Sequence, residues 1–147
     1  GQPYQDEVLY LESIHPIENI EMMRSLMGLR VKMYCTGLGK ALLAFMPQET
    51  IDRYCCETLE RFTDNTITDP ARLKEELALI RHQGYAVDDM EHEYGIKCVG
   101  VPIFNKAGQV CAAISISGPS LRFGQKRINE LAQMLREYAH KIELGIY

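Results

Sequence analysis

Two apolar stretches in the second half of the chain constrain its fold most. They are GIKCVGVPIF at 95–104 and QVCAAISISG at 109–118, and the turn-forming residues NKAG separate them. Runs of this length around a short Gly-containing turn predict a β-hairpin. Because side chains alternate across a strand, the second strand puts its larger apolar residues on one face and Cys111, Ala113, Ser115 and Ser117 on the other. The hairpin therefore has one ordinary core face and one face of small side chains.

The pairing of the two strands decides whether all the small residues share a face. A four-residue loop at 105–108 would set Phe104 opposite Gln109 and, further from the turn, Cys98 opposite Ser115. An uncompensated three-residue loop would break this arrangement. Two interpretations follow from the predicted register. Either a helix approaches the small face closely, or that face is the floor of a pocket.

The rest of the first half gives weaker local signals. Alternating residues predict a strand at 7–14, whereas ENIEMMRSL at 18–26 fits either a strand or a helix. After a turn at Gly28 and an irregular VKMYC segment, an apolar run predicts a helix that starts near Gly37 and is broken by Pro47.

The helices of the second half have clearer boundaries. A short helix is predicted within 47–59, and a second one runs from Pro70 to Gly84 with Thr68 or Asp69 as its N-cap. A short strand follows at 85–89. The last predicted helix is amphipathic, and the residues expected on its apolar side are Ile128, Leu131, Leu135, Tyr138 and Ile142. Hairpins between helices predict an α+β domain with an antiparallel sheet.

Composition narrows the class of protein. The chain has 147 residues, 46% of them hydrophobic, which fits one soluble domain, and no apolar run reaches the length of a membrane span. Its net charge of −4 argues against nucleic-acid binding by this chain alone. Five cysteines without a CxxC pair and the lack of a signal peptide favour the cytoplasm. A strand-like stretch close to the first residue suggests a domain cut from a longer protein.

The segment TGLGK at 36–40 places two glycines and a lysine at a predicted helix start, which favours a small anion. It lacks the residues of a P-loop or of a dinucleotide-binding loop, because Tyr34, Ala41 and Leu42 stand where those loops need other residues. The anion is therefore expected to be smaller than a nucleotide.

The acidic segment DDMEHE at 88–93 would by default be a solvated loop, but Asp88 ends a predicted strand and could turn inward beside the hairpin. Zinc binding by His92 and Cys98 lacks supporting ligand spacing, so no metal and no cofactor is predicted. No catalytic nucleophile motif is present, and the chain is not predicted to be an enzyme.

In this order, the segments YCTGLGKALLAFMPQE and IRHQGYAVDDMEHEYGIKCVGVPIFNKAGQVCAAISISGP resemble the effector-binding domain of the IclR family of bacterial transcriptional regulators. The resemblance extends from VLYLES to the last helix. It implies a GAF-like fold over residues 1–147, with an antiparallel sheet flanked by helices, that binds a small carboxylate or keto acid. It also implies an N-terminal winged helix-turn-helix domain, absent from this chain, through which the full-length protein contacts DNA as a repressor.

The resemblance further implies a set of ligand-binding residues and a homodimer or homotetramer. By their positions in the motifs, the implied ligand-binding residues are Gly37, Leu38, Asp88, Cys98, Ser115, Ser117, Ile20 and Val31. Many members of the family carry a residue smaller than Leu38 at that position, which bears on the size of the ligand. Two other classes stay open: an enzyme that acts on a small organic acid, with Cys98 and Asp88 as its reactive pair, and an oligomerisation module without a ligand.

Overall fold

A computed structural model describes residues 1–15 and 27–145 of the chain. Six strands in two antiparallel sheets form its centre. The first sheet has the order β1 (Gln2–Tyr4), β2 (Glu7–Leu9), β3 (Arg30–Lys32), and the second has the order β4 (Ala86–Asp89), β5 (Ile96–Phe104), β6 (Val110–Pro119). Gly1 joins the sheets, since its amino group donates to the Ala113 carbonyl of β6 and its carbonyl accepts the Ala113 N–H, both at 2.9 Å.

Four helices flank the strands. They are α1 (Gly37–Leu43), α2 (Gln48–Cys55), α3 (Pro70–Gln83) and α4 (Gln125–Glu143). The ends of α3 follow from local chemistry, because the Asp69 carboxylate accepts the N–H of Arg72 and Gly84 ends the helix with a φ of 80°. The predicted N-cap and stop of this helix are both confirmed.

The two faces of the second sheet pack against different helices. On one face, Val99, Val101 and Ile103 form a core with Ile128 and Leu131 of α4. On the other face, α1 packs against β4, β5 and β6, with α2 and α3 outside it. The predicted α+β architecture, an antiparallel sheet flanked by helices, is confirmed.

The hairpin keeps the predicted faces but not the predicted register. Cys98 pairs with Ser117 rather than with Ser115, a shift of two residues. The N–H of Asn105 bonds to the carbonyl of Gln109, which leaves a three-residue loop. A bulge at Cys111 then adds one residue to β6 and restores the alternation, so the small residues of β5 and β6 still share a face.

Other predictions need correction. The strand predicted at 7–14 is a strand only over Glu7–Leu9, and the first two residues of the VKMYC segment, predicted to be irregular, belong to β3. Tyr138 and Ile142 are 55% and 42% exposed, although both were predicted on the buried side of α4. Ala139 is buried instead. Because an α-helix turns by 100° per residue, Ala139 points in nearly the same direction from the helix axis as Ile128, whereas Tyr138 does not. Ile142 lies in the last turn, beyond the final buried position. The alternatives for 18–26 lie outside the described residues.

Candidate functional site

The predicted polar residues form two rows across the second sheet. Asp88 pairs with Cys98, which pairs with Ser117, so these three side chains lie side by side on β4, β5 and β6. In the next row Gly100 pairs with Ser115. Paired residues of antiparallel strands point to the same face, so the structure brings Asp88, Cys98, Ser115 and Ser117 together.

The start of α1 lies directly on this face. A Cβ atom added to Gly37 would stand 2.7 Å from the Cys98 Sγ, and one added to Gly100 would overlap the carbonyl group of Gly37. Over Cys98 and Gly100, the small residues are therefore small because a helix approaches closely. Ser115 is half-buried and Ser117 is exposed, so the face is open at β6. The close approach of a helix is therefore confirmed over Cys98 and Gly100, whereas a pocket floor at Ser115 and Ser117 stays a prediction.

Protein atoms already occupy part of the hydrogen-bonding capacity of the glycine loop. The Thr36 hydroxyl accepts the N–H of Gly39 at 3.1 Å. Burial raises the pKa of the Cys98 thiol, although the nearby Ser117 and Ser115 hydroxyls and the Gly37 N–H oppose the effect. Cys98 is therefore a neutral thiol near neutral pH, which is unsuited to nucleophilic attack.

Asp88 is the buried acid of the site. It is 5% exposed, and its Oδ1 accepts the backbone N–H of Glu91 at 2.7 Å. Burial raises its pKa to about 7, while that hydrogen bond acts in the opposite direction. Near neutral pH, Asp88 can therefore carry a proton and donate it in a hydrogen bond to an anion.

Sequence reasoning missed Tyr10. Burial raises the pKa of its hydroxyl above the usual range, and the nearby Cys98, Asp88 and Cys35 add to the rise, so the hydroxyl is a neutral donor. The available signal was the alternation of β2 continued by one residue, because it places Tyr10 on the same face as the buried Val8.

Lys40 is paired with two carboxylates of the protein. Its Nζ lies 2.5 Å from Glu91 Oε1 and 2.9 Å from Glu76 Oε1, and the side chain is fully buried. Two carboxylates of the protein thus pair with the lysine of TGLGK, and the prediction of an anion at this segment depends on its backbone N–H groups.

The apolar residues implied for the site are placed less sharply. Leu38 is buried in the core, and Val31, which pairs with Val8, packs at the edge of the same core. Ile20 lies outside the described residues. Among the described residues, no group of three His, Cys, Asp or Glu side chains could hold a metal ion, and no helix could cross a membrane.

A groove of about 950 Å³ lies between α3, the segment 61–69 and β4. Its lining includes Tyr85 and the β4 residues Val87 and Asp89, whereas Asp88 belongs to the other face of the strand. Of the predicted ligand-binding residues that the structure describes, none lines this groove. We favour the face of Asp88 and Cys98 as the candidate site, because buried polar groups with shifted pKa values converge there.

Comparisons with known proteins identify relatives of the whole described fold. The family described as "Bacterial transcriptional regulator IclR C-terminal" matches residues 3–144. The regulator BhcR of Paracoccus denitrificans is 40% identical over 96% of this chain and 50% of its own length. KdgR of Escherichia coli is 38% identical over 94% of this chain and 52% of its own length. The chain thus spans about half the length of these relatives, which are transcriptional regulators and not enzymes.

Solved structures agree. IclR of Thermotoga maritima superposes with a TM-score of 0.92 at 40% identity, over 99% of this chain and 59% of that one. An IclR homolog of Microbacterium hydrocarbonoxydans, solved with 4-hydroxybenzoate, has a TM-score of 0.85 at 27% identity, over 99% of this chain and 58% of that one. The fold shared with these proteins is GAF-like. The chain therefore belongs to the IclR family of transcriptional regulators, as its C-terminal effector-binding domain.

Proposed function

We propose that this domain binds a small organic acid, a carboxylate or keto acid, on the face formed by Asp88, Cys98, Ser115 and Ser117 beside the start of α1. In the full-length cytoplasmic protein, the ligand modulates DNA binding by an N-terminal winged helix-turn-helix domain. The action is that of a repressor, and the protein works as a homodimer or homotetramer.

The observation that carries this proposal is the buried, protonatable carboxyl of Asp88 in one row with the exposed Ser117. An ionised carboxylate would repel an organic acid, whereas a protonated one donates a hydrogen bond to it. The Tyr10 and Ser117 hydroxyls add neutral donors. The face thus offers neutral hydrogen-bond donors to an anion, while the buried cation near Asp88, Lys40, is paired with Glu76 and Glu91.

The relatives support the regulatory half of the proposal. BhcR and KdgR are named as helix-turn-helix regulators, and IclR of Escherichia coli is named as a transcriptional repressor. The structure with 4-hydroxybenzoate shows that one homolog binds a small organic acid. The net charge of −4 on this chain fits a division of labour in which DNA contacts lie on another domain.

A thermal-shift screen with pyruvate, lactate, 2-oxobutyrate and 4-hydroxybenzoate tests the proposal. A ligand that binds only the folded state raises the melting temperature by mass action. We expect at least one of these acids to raise it in the wild type and in Ser120→Leu, a matched change three residues beyond the site. Ser117→Leu should fold but show no shift, because its larger side chain covers the open part of the face.

The outcomes separate the three classes of function. Equal shifts in both variants would contradict the assignment of the face, and no shift with any acid would favour a ligand-free oligomerisation module. Chemical conversion of an acid by the wild type would favour an enzyme.

A further inference from the structure

Lys40 connects two parts of the candidate site, because it belongs to α1 and pairs with Glu91, which follows β4. We propose that Lys40 is a positioning residue, which holds the Asp88 turn (residues 88–91) and the start of α1 in one fixed arrangement by bridging Glu91 and Glu76. The proposal rests on the proposed function only in that the Asp88 turn and the start of α1 are two sides of the ligand site.

The bridge joins three separate elements. Lys40 belongs to α1, three residues after the Gly37 that touches Cys98, whereas Glu76 lies on α3 and Glu91 follows β4. Burial alone would lower the pKa of Lys40, but Glu91 and Glu76 more than offset this effect, so the lysine stays charged. A buried charge without partners is strongly unfavourable, so the three side chains must keep their relative positions.

Glu91 transmits this constraint to Asp88. Its backbone N–H donates to Asp88 Oδ1 at 2.7 Å, while its side chain binds Lys40. Met90 has a left-handed φ of 57°, which turns the chain so that the amide of Glu91 points back to Asp88. The Thr66 hydroxyl donates to the Glu91 carbonyl at 2.6 Å. The turn is thus fixed through its main chain by Thr66 and through its side chain by Lys40.

One oxygen of the Glu91 carboxylate argues against the idea that the Lys40–Glu91 ion pair serves only to stabilise the fold. Within the described residues, Glu91 Oε2 is buried and has no hydrogen-bond partner. A buried ion pair with an unsatisfied oxygen is often no more stable than a well-packed apolar pair. What the pair does specify is geometry, because it fixes the distance between α1 and the Asp88 turn.

The test uses hydrogen exchange of the ligand-free domain, so it does not depend on finding a ligand. Lys40→Met keeps an unbranched side chain of similar length but removes the charge. We expect the amide at position 91 to exchange about tenfold faster relative to the core amide of Val101. In the control Leu135→Ala, which weakens α4 on the opposite face of the sheet, the two amides should keep their wild-type ratio. An unchanged ratio in Lys40→Met would overturn the proposal.

The double variant Lys40→Met/Glu91→Leu covers the case in which the single variant fails to fold. It leaves neither Lys40 nor Glu91 as a buried unpaired charge, so stability should recover. If Lys40 positions the turn, the position-91 amide still exchanges about tenfold faster than in the wild type. If the pair is only structural, exchange recovers together with stability, and the proposal fails.

Calorimetry with pyruvate and 4-hydroxybenzoate extends the test to the ligand. If either acid binds the wild type, we expect it to bind Lys40→Met/Glu91→Leu with about tenfold weaker affinity. It should bind Leu135→Ala with wild-type affinity. Wild-type affinity in the double variant would contradict the positioning role. If neither acid binds the wild type, the proposed function is in doubt, while the exchange ratio still decides the role of Lys40.

Discussion

At the scale of single residues, burial determines what the candidate site can do. Asp88 and Cys98 are neighbours in one row, and burial favours the neutral form of both. The neutral thiol is a poor nucleophile, whereas the neutral carboxyl is a hydrogen-bond donor. The same physical effect therefore argues against covalent chemistry and in favour of anion binding.

The raised pKa of Asp88 predicts a dependence of stability on pH. The native state keeps a proton up to about pH 7, whereas an unfolded Asp loses it near pH 4. The free energy of unfolding should fall between these values as pH rises, by up to about 1.4 kcal/mol per pH unit for this proton. Asp88→Asn keeps the acceptor for Glu91 and should remove this part of the slope. Urea denaturation of both proteins across that range is the measurement, and identical slopes would contradict the pKa shift.

Gly100 tests the contact between α1 and the sheet. A Cβ atom there would overlap the carbonyl group of Gly37, so α1 must shift in Gly100→Ala. We expect a loss of about 1–3 kcal/mol in the free energy of unfolding. Gly124 has no neighbouring atom within 4 Å of an added Cβ and a φ of −68°, so Gly124→Ala should lose only the small cap preference of glycine. Equal losses in chemical denaturation would show that α1 does not lie against Gly100.

At the scale of elements, sequence succeeds where the signal is local. The N-cap at Asp69 and the stop at Gly84 lie within or next to α3, so its bounds were predictable. The register of the hairpin was not predictable. A bulge at Cys111 compensates for the three-residue loop, and no residue type in the sequence indicates a bulge there. The three-residue strand β3 forms through its pairing with β2, and the side-chain pattern of three residues does not reveal such pairing.

The faces of α4 give a second test at this scale. Leu131 is 2% exposed and belongs to the core against β5, whereas Tyr138 is 55% exposed. Leu131→Ala should lower the free energy of unfolding by about 2–5 kcal/mol, because it leaves a cavity. Tyr138→Ala should cost less than about 1 kcal/mol in the monomer, as exposed substitutions usually do. The reverse order in thermal or chemical denaturation would place α4 in a different rotation about its axis.

At the scale of the whole molecule, the candidate site depends on distant parts of the chain. The motif resemblance indicated Asp88, Cys98 and the two serines, and the fold brings these residues together. It did not indicate Tyr10, which reaches the site from the first sheet, or the pairing of Lys40 with Glu76 and Glu91. Contacts between residues so far apart in sequence follow from the tertiary fold and have no local pattern.

The proposed oligomer is tested on the isolated domain. A sensor that repositions DNA-binding domains usually works through a symmetric assembly, so we expect a dimer or tetramer in light scattering. Dilution should shift the mass toward that of one chain if the assembly is weak. Monomer alone at high protein concentration would contradict this expectation.

The most direct measurement of the central claim is NMR mapping of the amide shifts while an acid from the screen is added. Binding on the proposed face predicts shifts at Gly37, Cys98 and Ser117, which lose their saturable response in Ser117→Leu. The groove between α3 and β4 provides an internal comparison, because Arg72, Glu75 and Leu79 line it and the proposed face does not include them. Saturable shifts centred on those α3 residues, with none at Cys98 or Ser117, would contradict the account.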